Sequence, residues 1–411
     1  KGLETSNKLK IFNDPIYGFI TIPNSLIFDV IQHQDFQRLR RISQMGMSYL
    51  VYPGAHHTRF HHALGCMHLM SKAISVLRFK KINISNEEET ALYLAILLHD
   101  IGHGPFSHAL EHSIVNGITH EEISLIFMKR LNKEFNNQLD LAIQIFQGDY
   151  HRPFLCQLIS GQFDMDRADY LKRDSFYTGV AEGNVNSERL ITMLNVIDNK
   201  LVVEEKGIYS VEKFLMARRL MYWQVYLHKT SLVAEELLIK VFKRAKFLTS
   251  QNIKVNCSKP LSFFLYNEIG TNNFNEQVLK NFSLLDDYDV VSAMKLWVNH
   301  EDFVLSRLSK MIINRDLLKI KIKNNPIDDE SFNKKHNAIC LENNLSDDEA
   351  SYFVFRGSIS NQIYQLKKQK INILHKNGKV KDLGSLSDQF NSMVNNKPVV
   401  KYFICYPKGS L

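Results

Sequence analysis

The sequence predicts a mostly α-helical protein, a helical bundle with a short N-terminal hairpin and a small C-terminal α+β lobe. Three observations predict it. Apolar residues recur at helical spacing over long stretches, and Val211–Lys246 contains neither Gly nor Pro. Residues 11–22 alternate around Asp-Pro and Gly turn signals, the pattern of a hairpin. Near the end, Tyr352–Phe355, Lys370–Leu374 and Val399–Cys405 are β-rich runs separated by Gly, Asn and Lys.

Taken in order, the helical pattern opens at Ser25. Phe28, Ile31, Phe36, Leu39 and Ile42 keep the spacing, with a break near 33–35. Pro53-Gly54 marks a loop. Thr58–Phe79 follows as a helix with Leu64, Met67, Met70, Ile74 and Leu77 on its apolar side. Asn86 with Glu89 reads as an N-cap and acidic first turn. The next helix, Thr90–Asp100, is apolar nearly all round and therefore buried, and Gly102, Gly104 and Pro105 end it. Further helices are expected at 107–115, 119–135, 138–147, 152–160 and 164–174. Val211–Lys246 reads as one long helix and 287–320 as helical again. The polar stretch 328–350 reads as mobile. This divides the chain into a hairpin segment (1–24), a core (25–245), a helical extension (246–324) and the α+β lobe (325–411).

Composition narrows the class. The chain has 411 residues, 45% hydrophobic and 23% charged, with a formal net charge of +8. These are values of a globular protein with a large core, not of a disordered chain. The mild positive charge fits an anionic ligand. The longest apolar run, Ala91–Leu98, is far short of the ~20 residues a membrane helix needs, so no membrane partner is expected. Five dispersed cysteines and no leader pattern point to a reducing, cytoplasmic compartment.

Histidine is the outlier. Of 16 histidines, 11 lie between His56 and His151, where proportionality would place about four. Histidine is the commonest transition-metal ligand and a frequent acid–base catalyst. His99-Asp100 ends the buried apolar helix, where an unpartnered charge is expensive. His61-His62 lie on one helix upstream, and Asp164 and Asp166 on another downstream. Imidazoles and carboxylates from three helices suit a divalent metal such as Mn, Fe, Co, Ni or Zn, with Mg a further candidate. Dispersed cysteines exclude an all-Cys zinc site. Asp166, Tyr170 and Asp174 share one helix face, as do Arg218, Tyr222 and Tyr226. The second stripe reads either as an exposed basic-aromatic face or as a wall that holds phosphate and stacks a base.

Several motifs then occur in one order. They are Phe12-Asn-Asp-Pro-Ile-Tyr-Gly18, Phe36-Gln-Arg-Leu-Arg40, Tyr52-Pro-Gly-Ala55, Thr58-Arg-Phe-His-His62, Leu98-His-Asp-Ile-Gly-His-Gly-Pro-Phe-Ser-His108, Thr119-His-Glu121 and Phe163-Asp-Met-Asp-Arg-Ala-Asp-Tyr-Leu-Lys-Arg-Asp174. Together they resemble the HD-domain phosphohydrolase superfamily, and within it the deoxynucleoside triphosphate triphosphohydrolases, over roughly residues 10–245. By that resemblance the bundle is an HD-domain bundle and the metal ligands are His62, His99, Asp100 and Asp166, with Asp164 the alternative downstream carboxylate and His61 an outer residue. The resemblance makes Arg59, Arg167 and Arg218 phosphate contacts and Tyr226 a base-stacking residue. It sets Gln44 and Met45 beside the sugar, where relatives often carry Leu in place of Met45. Tyr170 and Asp174 would read the sugar's 2′ and 3′ positions. His108 becomes the general acid, with His103, Glu111, His120 and Glu121 in its proton relay, Glu121 equally an N-terminal helix charge. His56 and His57 read as loop or surface residues, and His68 and His112 as ordinary helix residues.

The implied activity is hydrolysis of deoxynucleoside triphosphates to deoxynucleoside and inorganic triphosphate, by metal-activated water attacking the α-phosphorus. The alternative is an HD-type phosphodiesterase acting on cyclic nucleotides or oligonucleotides, since fold alone does not choose. A nucleic-acid module built on the Lys-rich run Leu366–Lys370 ranks last, behind a merely solvated face. Relatives imply a homo-oligomer, a dimer or tetramer, with a nucleotide activator. Arg40 and Lys10 fall at positions of activator contacts, but Gln32 replaces the acidic residue expected to read guanine there.

Overall fold

A computed structural model describes residues 10–361, 370–386, 399–409 and 411. The Lys-rich run 366–369 lies outside them. The chain opens with the expected hairpin, β1 (Ile11–Asp14) and β2 (Gly18–Thr21), closed by Asp14, whose carboxylate accepts from the backbone of Ile16 and Tyr17. Helices α1 (Ser25–Gln32) and α2 (Gln34–Gln37) follow, split at His33 as the sequence indicates.

The centre of the molecule is α3 (Arg59–Phe79), buried on most of its circumference. Against it pack α4 (Asn86–Leu98) and, after α5 (Glu111–Ile114), α6 (His120–Glu134), α7 (Asp140–Gln147) and α8 (Pro153–Ile159), the helix α9 (Met165–Thr178). Ser85 and Glu88, one residue earlier than expected, form the capping box of α4. Every residue from Ala91 to Leu98 is buried, as an all-round apolar helix requires. Gly65 is where α3 and α9 meet: a Cβ there would lie 2.0 Å from Asp169 Oδ1.

Several expectations are corrected further on. After α10 (Ser187–Thr192), a stretch for which no element is predicted forms a hairpin, β3 (Leu194–Ile197) and β4 (Lys200–Glu204). The long helix over 211–246 is two helices, α11 (Ile208–Met221) and α12 (Lys229–Ser250), joined through a π-turn at Tyr222–Tyr226. The π-turn needs no Gly or Pro, and His228 caps the new helix by accepting from the Thr230 N–H. Helices α13 (Lys259–Tyr266) and α14 (Glu276–Leu284) lead to the 287–320 region, which is not continuous helix. It divides into α15 (Asp287–Trp297) and α16 (Phe303–Ile313), because Asp302 caps the second, and ends in the strand β5 (Lys319–Lys323).

The polar stretch 328–350 is also ordered, as α17 (Asp329–Asn343) and α18 (Asp347–Ala350), each capped by the side chain preceding it. Strand β6 starts at Phe355, not Tyr352, and runs to Asn361. Strands β7 (Asn372–Leu374), β8 (Val380–Asp382) and β9 (Val399–Tyr406) complete the fold. β9 lies between β5 and β6, antiparallel to both. β7 pairs in parallel with β4, Val203 opposite Ile373, so the C-terminal strands extend a sheet begun 170 residues earlier. Phe353, Ile373, Leu383 and Cys405 belong to the same apolar core as α3 and α4. Among the described residues no helix is long and apolar enough to cross a membrane.

Candidate metal centre and its cleft

α3, the end of α4 and the start of α9 bring His62, His99, Asp100 and Asp166 together. His62 Nε2 lies 3.0 Å from Asp166 Oδ1 and 3.6 Å from Asp100 Oδ2. His99 Nε2 lies 3.5 Å from Asp166 Oδ1 and 3.4 Å from Asp100 Oδ1. Adjacent donors around a six-coordinate ion with ~2.1 Å bonds are roughly 3 Å apart, so the spacing fits one divalent cation. Among the described residues His99 Nε2 is buried with no hydrogen-bond partner, as suits a nitrogen that ligates a metal.

The outer partners point the same way. Asp169 holds His62 Nδ1 at 2.8 Å, and the Ile96 carbonyl holds His99 Nδ1 at 2.6 Å. Both acceptors fix the proton on Nδ1 and leave the Nε2 lone pairs facing the carboxylates. Burial works against ionising Asp166, but the His62 and His99 rings beside it hold its pKa well below the usual carboxylate range. Asp100 is depressed in the same way, with burial opposed chiefly by Arg59.

Asp164 does something else. Its fully buried carboxylate caps α9, accepting from Gly161 and Arg167 backbone N–H groups and pairing with the Arg167 guanidinium. His61 caps α3 by accepting from Thr58.

A cleft of about 440 Å³ opens beside the four donors. Gln44, Met45, Arg59, Asp100, His103, His108, His120, Asp166, Tyr170, Asp174, Arg218 and Tyr226 line it, joined by Tyr222 and Glu235. Arg59 is buried, donating to Asp100 at 2.5 Å and to Ser107 Oγ at 3.0 Å. Among the described residues Arg218 makes only a 3.4 Å hydrogen bond, to Gln162 Oε1, which leaves its guanidinium available to a ligand. The π-turn sets Tyr222 and Tyr226 on the same wall, and Tyr226 packs edge-on against Tyr170 at 6.1 Å. Arg167, held by Asp164 and the Gly161 carbonyl, is not among the lining residues.

At one end stands a histidine cluster. His103 stacks on His120 at 4.0 Å, and His108 meets both edge-on. Glu111 binds His108 Nδ1 at 3.0 Å and His120 Nδ1 at 2.7 Å. Burial alone would raise the Glu111 pKa, but these hydrogen bonds pull it well below the ordinary value. Burial and then Arg59 hold His103 well below the usual imidazole value, so it is neutral. His108 is 65% exposed and reaches the cleft freely. Glu121 is largely exposed, 3.3 Å from His120 Nε2.

A phosphohydrolase from Bacteroides thetaiotaomicron shares this architecture with a TM-score of 0.95, at 51% identity over 98% of this chain and 100% of that one. The Bacillus subtilis protein YwfO is 31% identical over 97% of this chain and 92% of its own length. The HD domain model matches residues 59–174 and the HD associated region model residues 185–256. The chain is an HD-domain phosphohydrolase. A Dictyostelium discoideum protein described as a homologue of the deoxynucleoside triphosphate triphosphohydrolase SAMHD1 is 32% identical over 57% of this chain and 49% of its own.

This HD-domain site contains residues that sequence reasoning passed over. His57 lies in the loop before α3, as expected, but is buried there instead of lying at the surface: its Nε2 donates to Asp174 Oδ1 at 2.6 Å and its ring stacks on Tyr177. Asp169 was hidden inside the Asp166–Asp174 run, although Asp169 and Arg173 at i, i+4 are a readable pair. Asp287 of α15 accepts from Ser43 and Phe106 N–H groups at 2.8 and 2.7 Å and so fastens the loops carrying Gln44 and His108. Phe106 and Ser107 both have φ near +54°, a strained backbone just before His108. Of the activator positions, Lys10 lies over the Phe28 ring and Arg40 over the Phe60 ring, while Gln32 is exposed.

Proposed function

We propose that this HD-domain phosphohydrolase cleaves deoxynucleoside triphosphates into deoxynucleoside and inorganic triphosphate. The observation that carries the reading is one cleft lined by Asp100 and Asp166 of the metal-donor cluster together with two arginines and three tyrosines. A polyanion and a planar base need those groups in that combination. The name of the SAMHD1 homologue supports the same substrate class.

His62, His99, Asp100 and Asp166 would hold the ion. When bound, it supplies a Lewis acid beside the phosphate and lowers the pKa of water. Arg59 and Arg218 bind and neutralise the triphosphate, contacts worth most where water is scarce. His108 gives its proton to the departing 5′ oxygen. Glu111 orients His108 through Nδ1 and leaves Nε2 to face the substrate. Tyr226 and His57 orient Asp174, whose oxygens each keep a second lone pair for the sugar 3′-OH. Tyr170, on the cleft wall, is assigned to crowd a 2′-hydroxyl. The working form is taken to be a homo-oligomer responsive to a nucleotide activator.

The test incubates metal-loaded protein with dATP, dGTP, dCTP and dTTP, alone and in pairs, and identifies the products. Inorganic triphosphate should appear and vanish in Asp166→Ala. Monophosphate with pyrophosphate would overturn the scheme. Hydrolysis of bis-p-nitrophenyl phosphate with none of any dNTP would point to the phosphodiesterase instead.

A further inference from the structure

A second group of metal-ligating side chains lies in the C-terminal lobe and plays no part in the chemistry above. His336 and Cys340 stand one turn apart on α17, on one face, and Asp347 is the first residue of α18. His336 Nδ1 is 3.8 Å from Cys340 Sγ and 3.8 Å from Asp347 Oδ1, and Cys340 Sγ is 3.6 Å from the same oxygen. One nitrogen, one sulfur and one oxygen thus form a nearly equilateral triangle. A tetrahedral zinc ion has bonds of about 2.0–2.3 Å, which place its donors roughly 3.3–3.8 Å apart. The triangle has the dimensions of one face of that tetrahedron.

The tautomer agrees. His336 Nε2 lies 3.2 Å from the Asp347 carbonyl oxygen, which can only accept, so Nε2 carries the proton. The Nδ1 lone pair is then left for the triangle, the arrangement found in histidines that ligate metals. Phe332 stacks on the ring from the preceding turn and holds its orientation.

We propose that His336, Cys340 and Asp347 bind a zinc ion at a site distinct from the candidate metal centre beside the cleft. A thiolate, an imidazole and a carboxylate together favour a borderline ion over Mg or Ca. Asp347 is 90% exposed and His336 14%, so the ion enters from solvent and water completes the fourth position. The site clips α17 to α18 over a small apolar cluster of Ile339, Ala350 and Val354 that is separate from the main core. A cluster so small is where a metal clip contributes most to stability.

The experiment uses full-length protein stripped of metal by chelator dialysis and titrated with Zn²⁺ against a chromophoric chelator. Wild type should bind one equivalent more than Cys340→Ser or His336→Ala. Asp347→Asn, at a position 90% exposed and outside the core, should weaken the same equivalent by at least about 10-fold. Loaded with Co²⁺, wild type should show a sulfur-to-cobalt charge-transfer band that Cys340→Ser loses. Cys66→Ser should keep the band, because Cys66 stands beside His62 in the other centre. Equal stoichiometry in wild type and all three lobe variants would overturn the proposal, as would a band that follows Cys66 or is absent from wild type.

Discussion

Asp169 accepts the Nδ1 proton of His62 at 2.8 Å, and through that bond the N-terminal hairpin reaches the metal centre. Asp169 is fully buried and paired with Arg173, which is also fully buried and extends to Asp14 of β1 at 2.8 Å. Hairpin, α9 and α3 therefore meet in one chain of charges that ends on a ligand. Asp169→Asn should weaken divalent-metal binding by about 10- to 100-fold, the usual effect of losing an outer partner. Asp169→Ala should in addition destabilise the fold by about 3–5 kcal/mol, because Arg173 is left buried with half its compensation. Chelator competition measures the first effect and urea unfolding the second. Unchanged metal affinity in Asp169→Asn would show that this bond does not tune the ligand.

Gly65 supplies an independent probe of the same region. Within a helix, Gly→Ala ordinarily stabilises by up to ~1 kcal/mol. Here the new methyl would sit 2.0 Å from Asp169 Oδ1 and 2.3 Å from Arg173 Nη2. Neither group can retreat, since both are enclosed and bonded to each other. Overpacking costs roughly 1–3 kcal/mol and wins. Gly65→Ala should lower both the unfolding midpoint and the metal affinity; a gain in stability would mean that α3 and α9 can separate freely.

The helices were legible because burial, caps and breakers are local signals, and α3, α4, α6 and α9 lie within a few residues of their expected limits. The hairpin β3–β4 also carried a readable signal that went unused. Asp198 and Asn199 both adopt positive φ, 49° and 57°, the two-residue turn that such residues favour. The pairing of β7 with β4 had no such signal, because it joins segments 170 residues apart. The π-turn escaped because nothing in its composition breaks a helix. At the site, the ligands announce themselves by residue type and motif. His57 and Asp169 do not, since their roles depend on partners from other elements, and Glu235 does not, since only the packing of α12 turns it into the cleft.

His108 has the exposure and the Glu111 anchor expected of a general acid. His108→Ala should lower kcat for deoxynucleoside triphosphates by about 10²- to 10⁴-fold with the metal still bound. The loss should shrink for an ester whose leaving group, such as p-nitrophenolate, needs no proton. Equal losses on both substrates would assign His108 to phosphate binding instead.

Glu235 of α12 lines the cleft beside Gly46 without a hydrogen bond or ion pair among the described residues. Burial, and then the neighbouring Glu236, raises its pKa from 4.5 to about 7. The folded protein therefore holds this proton more tightly than the unfolded chain does. Stability from this group is fully present below pH 4.5 and is lost as pH rises to about 7, beyond which the loss is constant. At ~1.4 kcal/mol per unit the full effect is roughly 3–4 kcal/mol. Glu235→Gln keeps the shape and removes the titration. Its stability should match wild type near pH 4.5, exceed it progressively up to pH 7 and then run parallel. Urea unfolding across that range measures the difference. A constant difference at every pH would mean that Glu235 is already ionised in the folded protein under acidic conditions.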